Sequence, residues 1–461
     1  MKESRVKELG TERIGSLLLK YAMPAIVGMV ASSVMNLADS YFIGNYVGKN
    51  ALSGMTVTLP FMNLAAAFGV MIGVGAGSVI SIRLGQRNVQ TANHILGNAA
   101  TLSLIIGLLV SLVGLVWMDS FLHWFGASPN TAPYAKEYMQ VLLFGNVFSH
   151  SFHGLNNVLR AGGHPRRAML CTLLAVGLNF LLTPLFVVQF GWGIRGAAWA
   201  TVLSQSVALV WQLRTLAHGF EVLHFTRGTY RLRLPVVRQI LSIGASPFLT
   251  TACSCLLVLI INQSMRRWGD TLPIEHGGDA AIAAYGINNR VVHLFVMIAI
   301  GLNQGMQPIV GYNWGIGQKE RVRKTLKLTI LAASCVTSIG FLVGECFPNQ
   351  VVHIFVQNAP EVTALAAHGF RINVAMFPIV GAQMVIVNFF RSIGHAATSL
   401  FLTLTRQLIF FIPALLILPC WIGFDGIWWS IPTSDLFSFL VALAMLLRMR
   451  KRLVSASTTF F

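Results

Sequence analysis

Long apolar stretches alternate with short charged segments along almost the whole chain of 461 residues. About 20 apolar residues of α-helix cross the hydrocarbon core of a bilayer. A helix also satisfies its own backbone hydrogen bonds in lipid, so apolar runs of this length predict helices and not strands. The pattern predicts twelve membrane-spanning helices, at 17–44, 51–82, 94–118, 134–160, 167–190, 195–217, 239–266, 280–306, 325–346, 361–391, 396–420 and 426–447.

The composition agrees with an all-α polytopic membrane protein. Apolar residues make up 55% of the chain and charged residues only 10%, against about 25% charged residues in soluble domains. This excludes a soluble enzyme, a disordered chain and a disulfide-stapled secreted domain. The six cysteines form no CxxC pair with metal-binding spacing, and the net charge of +18 lies in short runs between apolar stretches. We therefore expect a lipid bilayer and no nucleic acid as partner.

The positive charges predict the orientation. If the N-terminus is cytoplasmic, 25 Lys and Arg lie in cytoplasmic segments and six in exterior ones. Positive residues are retained on the cytoplasmic side of membranes, so both termini are predicted to be cytoplasmic. Residues 1–20 carry charges of both signs and no apolar signal-peptide core, so we expect no cleaved leader.

The two halves of the chain are related to each other. Pro24 matches Pro247, Gly163-His164 matches Gly394-His395, and Gly196 matches Gly426, at shifts of 223 to 231. An insertion at 271–279 accounts for the change in shift. An ordered series at a nearly constant offset indicates duplication. We predict two pseudo-symmetric six-helix lobes, an N-lobe at 1–225 and a C-lobe at 226–461 with a basic cytoplasmic tail, acting as a monomer. Paired lobes suit a carrier that rocks around a central cleft.

Four sequence motifs, given at the end of this paragraph, resemble those of the multidrug and toxic compound extrusion (MATE) transporters, most closely the bacterial multidrug-efflux branch. The resemblance covers essentially the whole chain. It implies a bacterial inner-membrane antiporter that exports cationic or amphipathic small molecules, needs no cofactor, and is driven by a transmembrane H⁺ or Na⁺ gradient. The motifs are NLADSYFIGNYVG (36–48), RAGGHPRRAM (160–169), GIRGAAWATVLSQ (193–205) and GLNQGMQPIVGYNWGIGQKERVRKTLK (301–327).

Asp39 is the first candidate for ion coupling, since acids at membrane depth are rare and usually functional or paired. Asn36 precedes it by three residues, so both polar groups are predicted on one helix face. The alternative is a solvated acid near a helix end, or one paired with Lys49. The resemblance implies that Asp39 takes part in ion coupling, because the family has an acid at this position.

Further ion ligands are predicted on helices 5 and 6. The resemblance implies an Asn followed four residues later by an Asp; here Asn179 is present but Thr183 occupies the acid position. Helix 6 supplies Thr201. Oxygens from these side chains suit a hard cation, with one formal charge instead of two. Alternatively, Asn179 and Thr201 are hydrogen-bonding contacts between helices.

The C-lobe lacks an equivalent acid, since Asn262 stands at the repeat position of Asp39. Its neutral residues are predicted to be structural or to face substrate. Arg406 is interpreted as a structural cation, with Asp435 as its candidate partner. The predicted substrate-cavity residues are Asn262, Gln304, Gln307, Arg371, Gln383 and Arg406.

Two other functions are weighed against export. A lipid-linked precursor flippase shares the twin-lobe architecture, but it needs several cations lining the cavity to hold pyrophosphate, and only Arg371 and Arg406 qualify. A membrane prenyl transferase needs paired acids for Mg²⁺, which the spans lack. His150 and His153 have no carboxylate near them in sequence, so we expect no metal site and no enzyme activity.

The orientation can be tested by reporter fusions. We expect fusions at Gly219 and Gln318 to report cytoplasm, and fusions at Asn130 and Glu275 to report the exterior. A cytoplasmic signal at Asn130 would contradict both the span count and the charge asymmetry.

Overall fold

A computed structural model describes residues 2–217, 222–226, 228–356 and 359–455. All regular secondary structure in these residues is helical. Part of the predicted central loop, including Gly219, lies outside the described residues.

The first half of the chain forms eight α-helices. Two of them continue directly into short π-helical segments, Ile43–Val47 and Leu185–Gln189. The helices are α1 (Lys2–Thr11), α2 (Ile14–Phe42), α3 (Lys49–Gly85), α4 (Val89–Val116), α5 (Met118–Trp124), α6 (Ala132–Ala161), α7 (Pro165–Pro184) and α8 (Gly193–Ala217).

The second half repeats this order. A third π-helical segment, Thr405–Phe410, joins two of its helices. The helices are α9 (Leu234–Gly269), α10 (Gly277–Ile316), α11 (Lys319–Cys346), α12 (Pro348–His353), α13 (Pro360–Val374), α14 (Phe377–Ser392), α15 (Ala396–Leu404), α16 (Phe411–Ile422) and α17 (Asp425–Ser455).

Twelve long segments correspond to the twelve predicted spans. Nine segments in the described chain are long and apolar enough to cross a bilayer, and α13 with α14 forms a tenth that bends by 53°. The remaining two, α6 and α8, have 30 and 25 residues and are more polar. They pack against several helices of the same lobe, and polar side chains such as Asn146 and Gln205 are buried inside it. The all-helical, twelve-span fold in two lobes is confirmed.

A repeat-related turn ends the fourth long segment of each lobe. Gly163 and Gly394 have φ angles of 92° and 83°, in the left-handed region that glycine adopts without strain. In both turns the next residue donates its backbone N–H back into the helix, from His164 to Leu159 O at 3.0 Å and from His395 to Phe390 O at 2.9 Å. The same local geometry therefore reverses the chain at equivalent places in the two lobes.

The hydrophobic cores define how the lobes meet. We call the side where α2 begins and α17 ends the terminal side. One core there contains residues of both lobes, such as Leu17 and Ile72 from the first and Ile240 and Ile309 from the second. Toward the opposite side, each remaining cluster belongs to a single lobe. The lobes therefore share one core on the terminal side, and toward the opposite side each lobe has cores of its own.

Two glycines allow this close packing. A Cβ atom at Gly75 on α3 would overlap the carbonyl oxygen of Ile240 on α9, and one at Gly244 on α9 would overlap that of Met71 on α3. The two contacts are reciprocal, since each lobe presents a glycine to the backbone of the other. Any side chain at either position must push the helices apart.

We predict that Gly75→Ala and Gly244→Ala lower stability by about 1–3 kcal/mol, the usual effect of overpacking. The melting temperature of the purified protein should fall by several degrees. Gly177→Ala is the matched control, because a Cβ atom there has no neighbour within 4 Å. Equal melting temperatures for Gly75→Ala and Gly177→Ala would contradict the packing described.

Candidate functional site

Asp39 lies in the last turn of α2 before the π-helical segment Ile43–Val47. Its side chain is only 4% exposed. The hydroxyl of Thr183 on α7 donates a hydrogen bond to Asp39 Oδ1 at 2.9 Å. Lys49, the alternative partner considered from the sequence, is exposed. Among the described residues, no cation lies within 4.0 Å of the Asp39 carboxylate, so a neutral hydroxyl is the partner that the structure gives it.

Asn179 and Thr201 complete the cluster. Asn179 Nδ2 on α7 donates to Thr201 Oγ1 on α8 at 3.1 Å, and Thr201 Oγ1 donates to Ala197 O at 3.2 Å. Both side chains also interact with the Asp39 carboxylate. The carbonyl oxygen of the Asn179 side chain is buried and accepts no hydrogen bond in the described protein. The cluster thus holds a carboxylate, two hydroxyls and an unsatisfied amide oxygen.

The local fold of α7 and α8 brings these groups together. Pro184 directly follows Thr183, and the helix continues as the π-helical segment Leu185–Gln189. Gly196 on α8 lies against the backbone of Phe186 in that segment, so the two chains approach closely. Thr201, just over one turn beyond Gly196, then reaches Asn179.

Asn36 is not part of this cluster. The sequence predicted that it shares a face with Asp39, but its side chain is exposed whereas Asp39 is buried. Three residues along an α-helix turn the side chain by about 300°, leaving it roughly 60° from the starting direction. Because of this offset, Asp39 lies on the buried side of the helix and Asn36 on the exposed side.

The C-lobe contains a second buried acid, but this one is paired. Arg406 Nε, in the π-helical segment Thr405–Phe410, donates to Asp435 Oδ1 on α17 at 2.8 Å. Ser434 Oγ donates to Arg406 O at 2.7 Å, and Gln383 Nε2 donates to Ser438 Oγ at 2.7 Å. The proposed partnership of Arg406 and Asp435 is therefore present, within a network of neighbouring polar groups.

The other predicted cavity residues lie in different places. Gln304 accepts a hydrogen bond from Arg160 of the opposite lobe. Gln307 Nε2 donates across the same interface to Val74 O at 3.1 Å and Ser78 Oγ at 2.8 Å. Arg371 is exposed on α13, and Asn262 is half-buried on α9. The structure thus does not bring the six predicted residues together: two lie between the lobes, and Gln383 and Arg406 lie inside the C-lobe.

Within the part of the chain that the structure describes, no three His, Cys, Asp or Glu residues come together as a metal site would require.

Comparison with known proteins places this architecture in a family. A sequence model of the MatE family matches residues 24–185 and 255–416, two segments of equal length that cover most of both halves. The chain belongs to the MatE family.

Relatives and solved structures match the MATE chain along nearly its whole length. It is 24% identical over 453 residues to the multidrug export protein MepA of Staphylococcus haemolyticus (strain JCSC1435), covering 98% of each chain. A structure of MATE in the bent conformation has a TM-score of 0.90 at 24% identity, with 99% of both chains covered. The outward-facing conformation of a multidrug resistance MATE family transporter gives 0.89 at 24% identity, with 98% of both covered. The protein is thus a membrane transporter, not an enzyme.

One neighbour of the acid in this MATE chain was missed from the sequence. Tyr138 on α6 is 7% exposed and lies within electrostatic range of Asp39. It follows Glu137 at the start of a predicted span, where a tyrosine is usually interpreted as an anchor at the membrane surface. Because charged residues lie next to Tyr138 in the sequence, its burial inside the lobe could not be predicted.

Proposed function

We propose that this MATE protein is a secondary active antiporter that exports cationic or amphipathic compounds in exchange for H⁺ or Na⁺. The observation that supports the proposal is Asp39, a carboxylate that is 4% exposed and accepts its hydrogen bond from a neutral hydroxyl. An unpaired charge at this depth is costly. A proton or a Na⁺ ion would neutralise it, so the occupancy of the site couples to the ion gradient.

The contrast with Asp435 supports the choice of Asp39. Both acids are buried, at 4% and 3% exposure, but Asp435 is neutralised by Arg406 at 2.8 Å. A permanent ion pair has no need of a transported ion. We infer that ion coupling lies in the N-lobe and that the Arg406–Asp435 pair stabilises the C-lobe.

We propose H⁺ as the main coupling ion. Na⁺ binding needs several oxygens and benefits from ligand charge. The cluster offers one carboxylate, because Thr183 stands where the family pattern has a second acid. A single proton neutralises a single carboxylate, whereas Na⁺ would be held weakly.

The fold suggests how transport proceeds. We propose that the protein is a monomer in a bacterial inner membrane, with its terminal side facing the cytoplasm. Its two lobes, residues 1–225 and 226–461, would rock against each other. The state described, with lobes packed on the terminal side, would then be open to the exterior. We propose that the inward-open state binds the ion better, so that ion binding at Asp39 favours return to that state.

The substrate class is inferred from the relatives and from the charges. MepA is named a multidrug export protein. A flippase for lipid-linked precursors would need cations free to bind pyrophosphate, whereas Arg406 is engaged with Asp435. Increased resistance to ethidium-like cations in an expressing strain supports export, and unchanged resistance with altered envelope synthesis would support the flippase instead.

We predict that Asp39→Asn reduces gradient-driven dye efflux from vesicles at least tenfold, because the amide keeps the shape but cannot titrate. Dye binding, measured by fluorescence polarisation, should partly survive. Asp279→Asn, which removes an exposed acid of the same type, is the control and should transport normally. Wild-type efflux in Asp39→Asn would place the coupling carboxylate elsewhere.

The choice of ion is tested by Thr183→Asp. The added carboxylate lies one turn from Asn179 and next to Asp39, so Na⁺ affinity should rise with ligand charge and count. We expect wild-type efflux to follow an imposed pH gradient, and Thr183→Asp to gain Na⁺ dependence without losing transport. Thr183→Ser, which keeps the hydroxyl, is the matched control. A native protein that responds only to Na⁺ would refute this account of the site.

A further inference from the structure

Two segments on the terminal side cross from one lobe to the other. The first is helix α1, which precedes α2, the first long helix of the N-lobe. The second precedes α9, the first long helix of the C-lobe. We call residues Val6 to Glu12 the N-terminal clasp, and residues 224–226 with 228–233 the central clasp. The ion site involves neither of them.

The N-terminal clasp is bound to the C-lobe by a capped helix end. Asn313 Nδ2 on α10 donates to Leu9 O at 2.8 Å. Arg321 Nη2 on α11 donates to Leu9 O at 3.1 Å and to Glu12 O at 2.7 Å. The last carbonyls of a helix lack partners within it, and a guanidinium supplies both donors and favourable charge. Leu9 is fully buried, in the core that both lobes share.

An ion pair network secures the same clasp to the N-lobe. Lys20 on α2 contacts Glu8 at 2.5 Å and Glu12 at 3.2 Å. The clasp is therefore attached to α2 on one side and to α10 and α11 on the other. Separation of the lobes on this side must break one of the two attachments.

The central clasp uses an asparagine in place of the arginine. Asn98 Nδ2 on α4 donates to Thr229 O and to Arg231 O, both at 3.1 Å. The backbone N–H of Arg233 donates to Asn98 Oδ1 at 2.8 Å. Gly97 on α4 allows the backbone of the central clasp to approach, because a Cβ atom at this position would overlap Thr229. One side-chain amide thus fixes three backbone groups of the segment that leads into α9.

The two clasps are related by the pseudo-symmetry of the fold. Each precedes the first long helix of its lobe, and each is held by the third long helix of the other lobe, α11 or α4. The residues differ, Arg321 in one and Asn98 in the other, so the sequence repeat does not reveal the relation. Both clasps lie on the side where the lobes are packed together.

We propose that the two clasps form a gate that holds the terminal side closed, and that Arg321 and Asn98 are its positioning residues. The gate rests on the alternating-access transport proposed above, since release of both clasps would be the step that admits substrate from the terminal side. Hydrogen bonds from a charged group are stronger than those between neutral groups, so loss of Arg321 should shift the equilibrium about tenfold toward the terminal-side-open state.

The test measures lobe separation directly. Ser81 on α3 is fully buried and lies against Gly311 of the opposite lobe, so a thiol in Ser81→Cys reacts with a maleimide only when the terminal side opens. Native Cys346 is exposed and serves as an internal reference. Labelling of the purified protein is resolved by site with peptide mass spectrometry, and the rate at position 81 is divided by the rate at Cys346.

We expect Arg321→Ala and Asn98→Ala each to raise this ratio about tenfold. Arg321→Lys keeps the charge but has fewer donors, so it should give an intermediate ratio and remains informative if Arg321→Ala folds poorly. The matched controls are Arg323→Ala on α11 and Gln90→Ala on α4, both exposed, which should leave the ratio unchanged.

Two results would overturn the gate. One is a ratio within twofold of the parent in Arg321→Ala, Arg321→Lys and Asn98→Ala. The other is an equal increase in the control variants, which would show general loosening. The labelling does not depend on an ion gradient. If the clasp variants open the terminal side while the wild type exports no dye, the gate is supported and the proposed antiport is rejected.

Discussion

The lobes are joined by close packing of α2 and α3 against α9 and α10, and the remainder of the architecture depends on this contact. Gly75 and Gly244 bring backbone against backbone at the terminal side, where dispersion contacts are dense and no side chain keeps the helices apart. Away from this contact the lobes keep separate cores. The alternating access proposed for this protein would therefore require two packed bodies to move, without unfolding of a helix.

The two buried acids, one in each lobe, differ in whether a positive charge compensates them. Asp435 is compensated inside the protein by Arg406, while Asp39 has hydroxyl and amide neighbours. A buried ion pair is largely insensitive to the external ion concentration, whereas an uncompensated carboxylate responds to it. The asymmetry between lobes that share one fold therefore arises from side chains at a few positions, with the backbone architecture held in common.

Much of the fold could be predicted from the sequence, because twelve apolar runs leave few alternatives in a bilayer. Asp39 was predicted because an acid at membrane depth is rare, and Asn179, Thr183 and Thr201 were predicted from the family resemblance; the structure brings these four side chains together. Asn36 was expected on the same helix face as Asp39, but its side chain is exposed, because spacing along a helix gives a face only to within about 60°. Tyr138 and the clasps depend on tertiary packing: an aromatic residue near a helix end, and a charged ten-residue helix such as α1, carry no pattern that indicates what they contact.

The three π-helical segments have a consequence for the geometry of the polar residues beside them. Each adjoins or contains one of these residues: Ile43–Val47 follows Asp39, Leu185–Gln189 follows Thr183, and Thr405–Phe410 contains Arg406. A π-turn accommodates one residue more than an α-turn. Moving that extra residue along the chain turns the intervening side chains by about 100° while breaking few backbone hydrogen bonds. Asp39, Thr183 and Arg406 therefore lie where the helical register changes, so the side chains on either side of each segment face directions that a continuous α-helix would not give them.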